Sequence, residues 1–151
     1  MIKIVTYYVM PRRKTMKIKV IKFDNYKAPD RAHYNDSGAD IFAATDVTIQ
    51  PGKVKKIPTG VGIELPDGYD AVIHCKSGLS ANNGLMMANA PIDAGYRGEI
   101  HAIVFNSSQF PVKVTAGDKI GQLVIRPVIY ADFVTELGEE RGEGAFGSTG
   151  K

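Results

Sequence analysis

Short runs of β-forming residues recur about every ten residues along this chain, and most are followed by residues that turn a backbone. The runs are Lys17–Phe23, Asp40–Ala44, Val47–Gln50, Lys53–Ile57, Gly60–Leu65, Asp70–Cys75, Glu99–Phe105, Val112–Thr115, Ile120–Ile125 and Val128–Val134. Among them stand Pro51-Gly52, Pro66-Asp67-Gly68, Asn106-Ser107-Ser108 and Ala116-Gly117-Asp118. Proline presets φ, glycine accepts positive φ, and Asn, Asp and Ser bond to nearby backbone, so each cluster favours a turn. Val47-Thr48-Ile49 and Val112-Lys113-Val114 alternate apolar and polar residues, the pattern of a half-buried strand. No window of about a dozen residues keeps a helical period. One short helix is expected after Ser77, with Ser77 as N-cap and Gly84 ending it. Many short strands with this punctuation indicate an all-β sandwich or barrel.

At 151 residues the chain is one domain. A chain of that size buries roughly 70% of its unfolded surface, enough for a core without disulfides or metals. The formal net charge of +3 raises the question of nucleic acid, but the excess is local. Residues 1–15 hold Lys3, Arg12, Arg13 and Lys14 and no acid, which leaves 15 basic and 16 acidic residues for the rest. A nucleic-acid-binding domain gathers positive charge on one face of its fold, so nucleic acid is not an expected partner. Residues 1–15 are expected to be an extension outside the fold, or the product of an upstream start codon, with Met16 opening the run Met16-Lys17-Ile18-Lys19-Val20. They make a poor secretion signal: the apolar run Ile4–Met10 is minimal, Arg12-Arg13-Lys14 follows it, and no small-residue cleavage site appears. No apolar run approaches the ~20 residues of a membrane helix. The single cysteine, Cys75, cannot form an internal disulfide, so the expected compartment is the reducing cytoplasm.

After Leu137 the composition changes. Residues 138–151 carry five glycines in fourteen positions, and such a segment is expected to be a mobile C-terminal tail. A frayed acidic end is the plain reading. Against it, Arg141, Phe146, Ser148 and Thr149 set a cation, an aromatic face and two hydroxyls among the glycines. These are the groups needed to close over a base and a polyphosphate. Gly142-x-Gly144-x-x-Gly147 formally matches a dinucleotide fingerprint, but no helix can follow in the four residues that remain. Gly150-Lys151 lacks the Ser or Thr and the helix of a P-loop. His33, His74 and His101 have no zinc-ligand spacing, and the H-x-E with P-C-x-x-C pattern of zinc deaminases is absent.

Five segments carry more information: Asp36-Ser37-Gly38-Ala39-Asp40-Ile41, Cys75-Lys76-Ser77-Gly78-Leu79-Ser80, Ile92-Asp93-Ala94-Gly95-Tyr96-Arg97-Gly98-Glu99-Ile100, Gly117-Asp118-Lys119-Ile120-Gly121-Gln122-Leu123, and the tail from Arg141 to Gly150. In order and spacing they resemble the five motifs of the homotrimeric dUTPases, over about residues 17–151. The resemblance implies a jelly-roll β-sandwich of the β-clip type with one short helix, in a domain spanning 16–137. Three such subunits would share active sites, with the 138–151 tail closing over a neighbour's. The implied activity is Mg²⁺-dependent hydrolysis of dUTP to dUMP and pyrophosphate, which keeps uracil out of DNA and supplies dUMP for thymidylate synthesis.

The resemblance also assigns roles. Asp93 would be the general base that activates water for in-line attack on the α-phosphorus, though Asp93-Ala94-Gly95 is also good turn sequence. Tyr96 would pack under the deoxyribose and leave no room for a 2′-hydroxyl; as an ordinary core aromatic it would look the same. Lys76, Ser77 and Gly78, at the start of the short helix, would bind phosphates, as helix N-termini do for anions. Gln122 would reach the phosphate chain, and Asn89 would contact uracil. Asp40 would orient waters around Mg²⁺, a hard cation that bridges triphosphate oxygens while keeping much of its water shell. From the tail, Phe146 would stack on uracil while Arg141, Gly147, Ser148 and Thr149 meet the nucleotide.

Three positions depart from the family pattern. Its motif-two arginine is Lys76 here, a point charge without the bidentate fork. Cys75 stands where proline is usual. Asn89-Ala90-Pro91-Ile92-Asp93 replaces the Asn-x-Pro-Gly-x-Ile-Asp of many bacterial members, either two residues shorter or with Ala90-Pro91 in place of a Gly-Val pair. Two other functions remain in view: a dCTP deaminase-like enzyme of the same fold, and a catalytically weak, dUTP-gated regulatory or binding protein.

Overall fold

The structure, a computed structural model, describes residues 15–136 and Gly138. The expected extension before Thr15 and the tail residues 139–151 lie outside the described residues. Described in order are β1 (Lys19–Lys22), β2 (Ala39–Phe42), β3 (Val47–Ile49), β4 (Val54–Pro58), β5 (Val61–Glu64), β6 (Tyr69–Cys75), α1 (Ser77–Asn83), β7 (Leu85–Met87), β8 (His101–Asn106), β9 (Val112–Val114) and β10 (Lys119–Pro127). All pairing among these strands is antiparallel, in four small sheets ordered β1-β5, β2-β10-β6, β3-β9 and β4-β8-β7. The result is an all-β jelly-roll sandwich with one short helix: the strand spacing predicts a sandwich or barrel, and the resemblance implies the jelly roll.

The two alternating triplets find each other. Thr48 pairs with Lys113 on the solvent side, while Ile49 and Val114 turn inward. Ile41, Ile49, Ile57, Val61, Ala71 and Leu85 are at most 2% exposed and anchor a single apolar core. Burying one such aliphatic side chain stabilises the fold by roughly 1.5–3 kcal/mol. The turn glycines serve as expected: Gly52, Gly68 and Gly117 all take positive φ, which other residues reach only at a cost.

Three expectations need correction. Residues 128–134 form no strand. Pro127 ends β10, the Val128 amide bonds to the Gly68 carbonyl at 2.8 Å, and Ile129 and Phe133 are then 91% and 98% exposed. Side chains of β type make no ladder without a neighbouring edge, and the described residues offer none there. A strand is found instead at Leu85–Met87, paired with β8. Ser77 is not the N-cap. That position is Lys76, in extended conformation, and its carbonyl accepts the amides of Leu79 and Ser80 at 3.0 and 3.1 Å with no side-chain cap. The expected C-terminal glycine is correct: Gly84 sits in the left-handed region at φ 65° and donates to the Ser80 carbonyl.

Candidate active site

The motif residues gather at two places on the chain. The first is the segment from Ile92 to Ile100. Ile92 forms an isolated bridge with Ala71 through hydrogen bonds of 2.7 and 3.0 Å, and the Asp93 carbonyl then accepts the Tyr96 amide at 3.0 Å. Asp93 is therefore exposed at the first position of a tight turn fixed to β6. Farther on, the Glu99 carboxylate accepts the Gly60 amide at 2.8 Å and the Thr59 hydroxyl donates to the Ile100 carbonyl at 2.7 Å. Pinned at both ends, the segment lines a cleft of about 250 Å³ with Ala88, Ala90 and Pro91. Asp93 and Tyr96 face this cleft together. Asn89 is exposed on the same loop.

Tyr96 is 46% exposed, and its ring lies against Gly98, where an added Cβ would come within 2.5 Å of the phenol oxygen. It is thus a surface ring rather than a core aromatic.

The second place is the joint between β6 and α1, facing β10. Lys76, Ser77, Gly78, Lys119 and Gln122 line a cleft of about 350 Å³ there. Gly38 permits the close approach of β2 to β10, since a Cβ there would lie 2.9 Å from Gln122 Cβ. Below the cleft Asp40 is only 3% exposed. Its Oδ1 receives Lys76 Nζ at 2.6 Å and its Oδ2 receives Lys119 Nζ at 2.8 Å. Burial pushes the Asp40 carboxyl up, but hydrogen bonds from Lys119 and Lys76, with their charges, outweigh it and hold the group below its ordinary value of 3.8. The same contact raises Lys119. Among the described residues no cluster of three or more His, Cys, Asp or Glu side chains forms a metal cage.

Lys119 is the residue that reading the sequence missed. It belongs to a quoted motif, but regular strand alternation would put it on the opposite face from Gln122. The tail residues Arg141, Phe146, Gly147, Ser148 and Thr149 lie outside the described residues.

The sequence model of the dUTPase family matches residues 24–150. The chain belongs to the dUTPase family. The deoxyuridine 5′-triphosphate nucleotidohydrolase of Clostridium tetani is 47% identical over 142 residues, covering 91% of this chain and 97% of that protein. That of Thermobifida fusca is 48% identical over 143 residues, covering 90% and 80%. Among solved structures, the Staphylococcus bacteriophage 80alpha dUTPase with dUPNHPP is similar at a TM-score of 0.82 and 28% identity, over 90% of this chain and 99% of that one. A mutant dUTPase from phage phi11 of S. aureus, described with a structural Mg(II) ion, is similar at a TM-score of 0.75 and 26% identity, covering 84% and 100%. The family is one of nucleotide hydrolases, and the chain is a hydrolase of nucleotide metabolism.

Proposed function

We propose that this dUTPase-family hydrolase cleaves dUTP to dUMP and pyrophosphate with a single carboxylate, Asp93, as general base. Asp93 takes a proton from water, the water oxygen attacks the α-phosphorus, and the bond to the bridging oxygen breaks on the opposite side to release pyrophosphate. The observation that carries the reading is the Asp93–Tyr96 turn: it holds a carboxylate with no partner among the described residues and a surface ring on one cleft, at a position fixed by the Ile92–Ala71 bridge. Tyr96 lies under the deoxyribose and the exposed edge around Asn89 meets uracil. Lys76, Ser77, Gly78 and Gln122 take the phosphates, with Arg141, Phe146, Gly147, Ser148 and Thr149 completing the site.

The residues fit a Mg²⁺ ion that would be held through its waters rather than by direct protein ligands. Asp40 is closed to direct coordination, being buried with an ammonium on each oxygen, but retains lone pairs for the waters of such an ion. When bound, Mg²⁺ neutralises charge that develops on the phosphates.

Two observations support a homotrimer with shared sites. The Asp93 cleft and the Lys76 cleft share no lining residue, so one chain presents two partial sites rather than one. Val54 and Met86, 58% and 56% exposed, both lie directly opposite Phe105 on one face of the β4-β8-β7 sheet, an apolar surface suited to burial against another copy. Residues 1–15 stand as an extension, 16–137 as the folded domain and 138–151 as the closing tail. The single cysteine, Cys75, is free and suits a reducing compartment, and on that ground we place the enzyme in the cytoplasm. Among the described residues no helix is long and apolar enough to cross a membrane. The test is pyrophosphate release from dUTP, dCTP, dTTP and UTP with Mg²⁺. Release from dUTP alone is expected; release from all four, or from none, overturns the reading, and ammonia from dCTP would mark a deaminase.

A further inference from the structure

Asp40 faces two lysines where one would balance its charge. An ammonium sits on each carboxylate oxygen, so the trio keeps a net positive charge. The anion is 3% exposed while the side chains of Lys76 and Lys119 are 30% and 50% exposed, so the acid lies buried behind two cations that line the cleft. The backbone arranges this. Residues 119 and 122 are an odd number apart and in a regular strand would project to opposite faces. A register shift between Lys119 and Gly121 inserts one extra residue, so Lys119 opposes Phe42 and Gln122 opposes Asp40. Phe42 and Asp40 share a face, and so their partners do too. A third lysine, Lys27, lies over the Phe42 ring at 3.7 Å, and Asp30 is the other acid whose charge acts on Lys119.

The geometry points to Lys119 as a second phosphate-binding cation of the nucleotide site, which Asp40 holds with Lys76 at the cleft until a triphosphate draws both away. The inference rests on the dUTPase reading and extends it to a residue and an exchange that reading does not contain. A triphosphate offers more anionic oxygens than the two of Asp40, so both ammonium groups gain acceptors on turning to it. Lysine suits such an exchange, since its charge rides on a flexible stem with three rotatable donors. Approaching from β6 and from β10, two point charges fix the phosphate chain at two places, as one cannot. Charge-assisted hydrogen bonds of this kind are the strong class.

The experiment is calorimetric titration in metal-free buffer with EDTA, using the α,β-imido analogue of dUTP and, separately, dUMP. Lys119→Gln is expected to weaken the analogue about tenfold and dUMP less than about twofold, with Lys119→Arg recovering most of the loss. Asp40→Asn, which removes the charge that holds both lysines, is expected to raise metal-free affinity for the analogue about threefold. Unchanged affinity in Lys119→Gln reduces Lys119 to a counter-ion and overturns the proposal. Equal losses for the analogue and dUMP overturn it as well, as does a fall in Asp40→Asn. Failure of the wild-type protein to bind either nucleotide overturns the dUTPase reading itself, and the lysine exchange with it.

Discussion

The Tyr96 hydroxyl donates to the Glu99 carbonyl at 2.8 Å and so lays its ring across Gly98. Glycine is required there for space, because a Cβ would stand 2.5 Å from the phenol oxygen and 2.6 Å from Cζ. Gly98→Ala should push the ring away from the position proposed for the sugar. The expected result is an increase of about tenfold in KM for dUTP, a smaller change in kcat, and a reduced preference for dUTP over UTP. Steady-state kinetics on both nucleotides checks this, and an unchanged preference would remove Tyr96 from sugar recognition.

Asp93→Asn keeps the shape of the turn, since the hydrogen bond that closes it uses the Asp93 backbone carbonyl. It removes the proposed proton acceptor. Turnover of dUTP should fall by about a hundredfold to ten-thousandfold, the usual worth of a general base, with affinity for the imido analogue within a few-fold of wild type. Substantial residual turnover would assign the proton to another group.

Much of this was legible from residues alone. The alternation in Val47-Thr48-Ile49 and Val112-Lys113-Val114 is a local property, and so is the left-handed preference at Gly84; both appear where expected. What failed depended on partners. Residues 128–134 have strand-forming side chains but no adjoining edge, whereas Leu85-Met86-Met87 is short and methionine-rich yet lies beside β8 and pairs with it. The motif residues could be found one by one, but not their division between two clefts, which is set by sheet order. Lys119 was hidden by a bulge that no periodicity reports.

Arg126 grips Asp70 through two hydrogen bonds, Nε to Oδ1 at 3.0 Å and Nη2 to Oδ2 at 2.5 Å. The Arg126 hydrogen bond, opposed by burial, holds the Asp70 carboxyl below its ordinary value of 3.8. Asp40 is lowered too. A carboxyl with a depressed native pKa contributes stability that is fully present above its unfolded value and lost as pH falls through the native one. Thermal stability should therefore be level from neutral pH down to about pH 5 and decline below about pH 4. Asp70→Asn should be less stable than wild type at neutral pH and show a shallower acid decline. Parallel melting curves across pH would count against the Asp70–Arg126 pair.

Asn106 is fully buried at the end of β8, and its side chain ties three segments together. Its amide nitrogen donates to the carbonyls of Ile49 at 2.8 Å and Phe110 at 2.7 Å, while its oxygen accepts from the Ser108 amide and hydroxyl at 2.9 and 2.7 Å. Replacing it with alanine strands the buried Ile49 carbonyl and removes three part-buried hydrogen bonds at once. Asn106→Ala should destabilise the fold by about 3 kcal/mol in chemical denaturation. A loss under about 1 kcal/mol would mean that water replaces the amide.

Neither cleft of the described chain encloses a nucleotide, and the site as proposed is completed by Arg141, Phe146, Ser148 and Thr149. Phosphoryl-type transfer draws most of its acceleration from charge stabilisation and from excluding all water but the attacking one, both of which need closure. Among the described residues the last member of the buried core is Leu123, well before residue 138. A protein lacking residues 138–151 should keep its melting temperature and its assembly size in sedimentation, while kcat/KM for dUTP falls by about a thousandfold. Loss of assembly along with activity would show that these residues hold subunits together. Full activity would mean that the 16–137 domain closes its own site.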